Sequence, residues 1–150
     1  MLAKAVDSLI YLQDNGLRNI LIDPSALLLA GEGQVKVLDA AVAYSTAYTW
    51  AVEQYQGHGS TELGRGRAYL SPELLKEATA GNWDPYISPK ADVWGLGLVV
   101  LEMVALESMA SYYDYPCGSL DYDSLIHRLS RVGHSLPLKT LLAEMLEYDP

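Results

Sequence analysis

The chain has little of several features that would assign it to a specialised class of protein. Phe is absent, Cys occurs once, and 10 Lys and Arg stand against 19 Asp and Glu, which gives a net charge of −9. A single cysteine excludes a disulfide framework and is typical of a reducing, cytoplasmic setting. The acidic balance disfavours nucleic acid and anionic membranes as partners.

Long apolar runs are also lacking. The longest, Leu96 to Leu106, is interrupted by Glu102 and falls short of the ~20 residues that a membrane-spanning helix needs. No basic region precedes an apolar run at the N-terminus, so the sequence predicts no secretory signal. What is there is a chain of 150 residues with 50% hydrophobic side chains, which favours a single packed domain.

Periodicity in the first part of the chain predicts a helix followed by a small β-hairpin. The helix carries apolar residues at helical spacing and ends at Asn15-Gly16. Two short apolar runs, 26–30 and 34–38, flank a glycine-rich turn and predict the hairpin. The segment from Ala40 to Gly66 has little periodicity and is expected to be a functional or mobile loop.

The remainder is predicted to be helices around a central one. Ala91 to Leu106 is apolar on all sides, which is typical of a buried helix. The sequence also predicts a short helix opened by Ser71-Pro72-Glu73, a helix from Leu125 to Val132 and a last helix beginning at Pro137. Ser111 to Asp123, rich in Tyr and Asp, is expected to be a loop. The fold class is therefore mainly α.

Three passages in this order resemble the C-terminal lobe of eukaryotic-type protein kinases. "DPSALLL" followed by "GEGQVKVLD" is similar to the catalytic loop and the hairpin that leads to the magnesium-binding Asp-Phe-Gly. "RAYLSPELL" is similar to the Ala-Pro-Glu end of the activation segment, and "KADVWGLGLVVLEM" resembles the central helix with its Asp-x-Trp-x-x-Gly opening. The resemblance implies a kinase-like C-lobe over residues 1–150, with the N-lobe absent from this chain.

The spacing of the first passage fixes the register of the catalytic positions. Ala26 precedes Asp39 by 13 positions, which suits the family's distance from the catalytic-loop Asn to the magnesium-binding Asp. In this register the family's His-Arg-Asp falls on Asn19, Ile20 and Leu21. The resemblance therefore places the catalytic Asp at Leu21 and the metal-binding Asn at Ala26.

Most of the chemistry that the family needs is missing at these positions. Leu21 has no lone pair with which to accept a proton, and Ala26 has no oxygen with which to bind magnesium. The phosphate-contacting Lys of the family falls on Asp23, which reverses the charge. Asp39 alone remains as a candidate residual Mg or ATP position, and Ala40-Ala41 replaces Phe-Gly after it.

The favoured interpretation is a catalytically inactive domain, a pseudokinase, that acts as a binding, scaffolding or regulatory module without a cofactor. The alternative from another class is a divergent protein Ser/Thr kinase that uses ATP and Mg and whose N-lobe lies outside this chain. A third reading is a non-functional gene fragment. Sequence upstream of Met1 with a Gly-rich strand and a Lys behind it would favour the kinase.

The resemblance also assigns residues to structure and to partners. The expected structural residues are Asp92, Glu73, Trp94 and Gly97, with Asp92 held by the catalytic-loop backbone or serving as a helix N-cap. The expected partner-docking face lies in the acidic, tyrosine-rich segment, at Tyr112, Tyr113, Asp114 and Tyr115. Its alternative is a solvated loop with some tyrosines packed on neighbouring helices.

A second candidate interface follows from the uncovered N-lobe side. By resemblance, Leu27 to Leu29 lie beneath the nucleotide position, with Val99 and Met103 of the central helix supporting them. Without an N-lobe, part of this apolar floor is expected to face water, and exposed apolar patches mark interfaces. The sequence therefore predicts self-association or a protein partner that covers this surface.

Overall fold

The computed structural model describes residues 2–16, 22, 24, 27–31, 34–37, 69–82, 88–114 and 117–148. The helices are α1 (Leu2–Asp14), α2 (Pro72–Thr79), α3 (Lys90–Ala105), α4 (Tyr122–Arg131) and α5 (Leu136–Met145), with a 3₁₀ turn at Met109–Tyr112. The strands are β1 (Leu27–Ala30), β2 (Gln34–Val37), β3 (Tyr113–Asp114) and β4 (Ser119–Leu120). The mainly helical fold with a small hairpin is confirmed. The predicted loop from 40 to 66 lies outside the described residues.

The predicted hairpin forms from β1 and β2. The two strands are antiparallel, with Leu27 opposite Val37 and Ala30 opposite Gln34. Helix α1 packs beside β2 through a face that buries Ala5 and Leu9. We refer to α1, Ile22, β1 and β2 together as the hairpin half of the molecule.

Helix α3 forms the centre of the described core. Ten of its residues are buried: Ala91, Asp92, Trp94, Gly95, Leu96, Gly97, Leu98, Val99, Val100 and Leu101. A helix that carries apolar side chains on all sides can bury them only if other elements pack on all sides of it. Helices α2, α4 and α5 supply buried residues to the same core, and we refer to α2 through α5 as the helical half.

The largest differences from the sequence prediction are the start of helix α4 and the segment before it. Helix α4 begins at Tyr122 rather than Leu125, because the Asp121 side chain accepts a hydrogen bond from the Ser124 N–H and caps the helix one turn earlier. The segment predicted as a loop contains the 3₁₀ turn and the two-residue pairing of β3 with β4. Pairings this short leave no periodic pattern in a sequence.

Glycine residues of α3 permit two close contacts, one with Ile22 of the hairpin half and one with the end of α5. A Cβ at Gly95 would lie 2.8 Å from the Ile22 carbonyl oxygen, so only glycine lets α3 approach that backbone. A Cβ at Gly97 would lie 3.0 Å from Leu146 Cδ2, just past the end of α5. No helix in the described part of the chain is long and apolar enough to cross a membrane.

Candidate functional site

The positions that the resemblance assigns to catalysis fall outside the described residues. This applies to Leu21, Ala26 and Asp39, and their geometry is left aside. Their neighbour Ile22 is described and is only 1% exposed, with its backbone against Gly95 of α3. The Ile22 backbone therefore packs directly on the central helix.

Asp92 lies in the first turn of the central helix and is 1% exposed. The N-cap of α3 is Pro89, and the Asp92 N–H donates to the Pro89 carbonyl at 3.3 Å. Of its two expected roles, the N-cap is therefore wrong, because Asp92 is already inside the helix. Of the catalytic-loop segment that it was expected to contact, Ile22 and Pro24 are described and the other residues are not, so this contact stays a prediction.

Trp94 anchors a buried chain of hydrogen bonds in the helical half. Its Nε1–H donates to the Tyr113 hydroxyl at 3.0 Å, and that hydroxyl donates to the Leu70 carbonyl at 2.7 Å. The Trp94 ring also stacks on Tyr122 at 6.4 Å between ring centres. One side chain thus connects α3 to the segment before α2, to β3 and to α4.

Glu73 and Gly97 occupy contrasting positions. Gly97 is buried against Leu146 and Met145, where a larger residue would displace the end of α5. Glu73 lies in the first turn of α2, is exposed, and makes no hydrogen bond or ion pair with another described residue. Its expected structural role remains a prediction.

The four residues of the expected docking face separate into different environments. Tyr113 is 5% exposed and its hydroxyl is consumed in the bonds to Trp94 and Leu70, so its burial makes it a core residue rather than a surface one. Tyr112 is partly exposed, and its hydroxyl donates to Glu107 Oε1 at 3.1 Å. Asp114 is exposed, and Tyr115 lies outside the described residues. The docking hypothesis stays a prediction, now without Tyr113, for Tyr112, Asp114 and Tyr115.

Several acids of this segment are engaged within the chain. Glu102 accepts hydrogen bonds from the Tyr69 hydroxyl and from the Met109 N–H, the latter at 3.1 Å. Asp114 accepts the Cys117 N–H at 3.2 Å, and its proximity raises the pKa of that thiol. Hydrogen bonds from Ser124 hold the pKa of Asp121 below its ordinary value. The bond between Tyr69 and Glu102 joins residues 33 positions apart and carries no signal in the sequence, whereas those of Asp114 and Asp121 are local.

Glu107 forms an ion pair with Arg128 across the same region. Arg128 Nε donates to Glu107 Oε1 at 2.5 Å, and Nη2 donates to the Ala105 carbonyl at 3.0 Å. The hydrogen bond from Arg128 lowers the pKa of Glu107. Burial, followed by the hydrogen bond to Glu107, raises the pKa of Tyr112.

The expected apolar floor borders a cavity of about 210 Å³ between the two halves. Its lining is aliphatic: Leu2, Ala5, Pro24, Leu27, Val35, Leu96, Val99, Val100 and Met103. Met103 is 37% exposed, so part of this surface faces water, whereas Leu28, 46% exposed, follows Leu27 in β1 and is not part of the lining. Leu27, Val99 and Met103 were expected here, whereas the contribution of α1 through Leu2 and Ala5 was missed.

No group of three or more His, Cys, Asp or Glu that could hold a metal occurs among the described residues. His127 and His134, both described, lie on or after α4 and are exposed. The metal position expected at Asp39 is outside that part of the chain. A residual magnesium site there stays a prediction.

Comparison with known proteins connects the chain to protein kinases. It is 29% identical over 107 residues to serine/threonine-protein kinase PKH2 of Saccharomyces cerevisiae, covering 69% of this chain and 9% of that protein. It is 26% identical over 159 residues to serine/threonine-protein kinase TOS3 of the same yeast, covering 97% of this chain and 28% of that protein. Serine/threonine-protein kinase stk11 of Xenopus laevis is 26% identical over 152 residues, with coverages of 97% and 31%.

The chain thus spans less than a third of the length of these relatives. No family model matches it, and no solved structure matches it. The distant similarity and the mainly helical fold with one small hairpin fit the C-terminal lobe of a protein-kinase-like domain.

Proposed function

We propose that this protein-kinase-like domain is catalytically inactive and acts as a binding, scaffolding or regulatory module. The observation that carries the proposal is the identity of two residues, Leu21 and Ala26, at the positions of the catalytic Asp and the metal-binding Asn. Phosphoryl transfer depends on a positioned carboxylate and on oxygen ligands for magnesium. Neither aliphatic side chain offers an oxygen atom.

The packing of the helical half supports a role that needs the fold without the chemistry. Asp92, Trp94 and Gly97, which match the family's central-helix motif, are all buried in α3. Gly95 lets the Ile22 backbone pack directly on α3. A domain of this kind can present surfaces to a partner while it lacks the groups that move a phosphoryl group.

We place the partner on the apolar face formed by Leu27, Val99 and Met103. These residues line the aliphatic cavity between the two halves, and Met103, which is 37% exposed, presents apolar atoms to water. Covering exposed apolar surface is favourable at about 25 cal/mol per Å². The partner is a protein, and when it is absent a second copy of the chain covers the same face.

We place the domain in the cytoplasm, without nucleic acid, membrane or cofactor.

A phosphotransfer assay tests the inactivity. The chain is incubated with ATP, magnesium and a generic Ser/Thr protein substrate, and the Asp39→Ala variant serves as the background control. We expect equal phosphate incorporation in both, at the level of the substrate alone. Incorporation by the native chain that Asp39→Ala abolishes would contradict the proposal.

Light scattering at rising concentration tests the apolar face. We expect the chain to self-associate, and Met103→Ser to shift association to higher concentration because it removes an exposed apolar side chain from the face. Leu136→Ser is the matched control, since Leu136 is exposed at the start of α5. A monodisperse monomer at all concentrations, or an equal effect of both variants, would count against this face.

The names of the relatives favour a second function. Those proteins are named as serine/threonine-protein kinases, which corresponds to a divergent kinase that uses ATP and Mg with an N-lobe outside this chain. Under this alternative another acid, such as Asp23, would have to accept the hydroxyl proton. The same phosphotransfer assay, repeated on any longer product of the encoding locus, separates the two functions.

A further inference from the structure

Both arginines in the described part of the chain line one surface cavity of about 480 Å³. It lies between the segment after α3 and one face of α4, and we call it the arginine cavity. Its lining is Glu107, Tyr112, Ser124, His127, Arg128 and Arg131. The last four follow the spacing i, i+3, i+4 and i+7, which brings them to one side of the helix. This concentration of cationic side chains stands out in a chain of net charge −9.

Arg128 is held in place before any ligand arrives. Its Nε–H is fixed by Glu107 and one Nη2–H by the Ala105 carbonyl. A guanidinium has five N–H donors, so three remain for a further acceptor. Because the side chain is already ordered, a ligand that uses those donors costs little additional conformational entropy.

Arg131 supplies the second cation. It is exposed in the last turn of α4 and makes no hydrogen bond or ion pair with another described residue. His127, one turn earlier, adds an imidazole N–H donor, and its side chain is likewise without a partner among the described residues. Glu107 neutralises Arg128, so the uncompensated positive charge of the cavity comes from Arg131.

We propose that the arginine cavity binds a phosphate monoester, with the phosphate oxygens accepting from Arg128 and Arg131. The planar fork of a guanidinium matches the spacing of phosphate oxygens, and charge-assisted hydrogen bonds of this kind are about twice as strong as neutral ones. The cavity is larger than a phosphate group, which leaves room for the attached side chain or small molecule. The site is independent of the apolar face and of the inactivity proposed above.

The ligand has two sources with the same chemistry, a phosphorylated peptide and a small phosphorylated metabolite. We therefore choose three probes: inorganic phosphate, glycerol phosphate and a short uncharged peptide carrying one phosphoserine, each titrated calorimetrically into the full chain. Saturable binding of all three indicates recognition of the phosphate group. Tighter binding of the phosphopeptide assigns the site to proteins, and tighter binding of glycerol phosphate assigns it to metabolites.

Variants locate the binding. Arg131→Met is expected to weaken the phosphopeptide by about tenfold or more, the usual range for losing a hydrogen bond to a charged group. Lys4→Met is the matched control, because it removes one exposed helical cation from the hairpin half. Glu107→Gln is expected to tighten binding, since it removes a carboxylate that repels the ligand and competes for Arg128.

Arg131 also lies where a cation stabilises the C-terminal end of a helix, and Arg131→Lys separates the two roles. Lysine keeps the positive charge at the helix end but lacks the planar guanidinium with its paired N–H donors. The melting temperature of Arg131→Lys should therefore equal that of the native chain, while its affinity for the phosphopeptide should fall. Equal affinity of the native chain, Arg131→Met and Arg131→Lys would overturn the proposal. An equal loss with Lys4→Met, or the absence of saturable binding by any probe, would overturn it as well.

Discussion

The helical half and the hairpin half differ in what they keep of the kinase-like pattern. In the helical half, the motif residues Asp92, Trp94 and Gly97 are buried, and hydrogen bonds connect Trp94 to Tyr113 of β3 and, through it, to Leu70 before α2. In the sequence around the hairpin half, Leu21 and Ala26 occupy the positions that the resemblance assigns to catalysis, and Leu28 of β1 is exposed.

The difference has a physical cause. A buried hydrogen-bonded side chain cannot be lost without leaving its partners unsatisfied, whereas a catalytic carboxylate can be replaced by leucine with no loss of packing. A catalytic group is required only for the reaction, whereas a buried hydrogen-bonded group is required for the stability of the fold. Loss of the first with retention of the second is what a binding module with a kinase-like fold requires.

The largest effect is expected from the centre of the helical half. Trp94→Ala removes a buried aromatic ring and a hydrogen-bond donor, and should lower the free energy of unfolding by about 3–5 kcal/mol. Val93→Ala, at the adjacent exposed position of α3, is the control and should change it by less than about 0.5 kcal/mol. Urea denaturation measures both. Equal losses would remove the distinction between motif and surface positions.

The two adjacent tyrosines sharpen the comparison within a single segment. Tyr113→Phe leaves the Trp94 N–H and the Leu70 carbonyl without their partner and should cost about 1–3 kcal/mol. Tyr112→Phe removes only a hydroxyl that contacts exposed Glu107, and should cost about 0.5 kcal/mol or less. If the two variants unfold alike, Tyr113 is not part of the core.

The contact between the halves can be tested at Gly95. Gly95→Ala puts a Cβ 2.8 Å from the Ile22 carbonyl oxygen, which forces the hairpin half away from α3. We expect a loss of about 1–2 kcal/mol, because overpacking outweighs the ~1 kcal/mol gained in helix propensity. Gly133→Ala is the control, since a Cβ there meets no atom within 4 Å. A stabilised Gly95→Ala would mean that the halves are loosely joined.

The smallest effect is expected from pH at the edge of the helical half. The hydrogen bond from Arg128 holds the pKa of Glu107 below its ordinary 4.5. A depressed carboxyl pKa stabilises the folded state at pH values above 4.5, and this contribution disappears as pH falls through the folded-state pKa. The melting temperature of the native chain should therefore exceed that of Glu107→Gln near neutral pH and converge with it in acid. High salt should reduce the difference.

Much of the fold could be predicted because the central helix and the hairpin have strong patterns. The apolar run of α3 and the glycine-flanked strands β1 and β2 are local signals that packing does not overturn. The start of α4 was missed because Asp121 caps it through a single side chain. The short pairing of β3 with β4 involves Tyr113–Asp114 and Ser119–Leu120, too few residues to show a period.

The candidate sites could be predicted only where a sequence motif assigned their residues. The apolar floor at Leu27, Val99 and Met103 followed from the register of the resemblance. The role of Tyr113 did not, because whether a tyrosine lies in the core depends on what lies opposite it. The arginine cavity joins Glu107 to Arg128, 21 positions apart in the chain, and no local pattern marks such a pair.

Binding of ATP with magnesium is the most direct test of the central claim that this domain lacks kinase chemistry. The melting temperature is followed while ATP is added, with and without magnesium, for the native chain and for Asp39→Ala. We predict no saturable stabilisation in either, because Leu21, Ala26 and Asp23 remove the proton acceptor, a metal ligand and the phosphate-contacting cation. A saturable stabilisation that requires magnesium and is lost in Asp39→Ala would contradict the account.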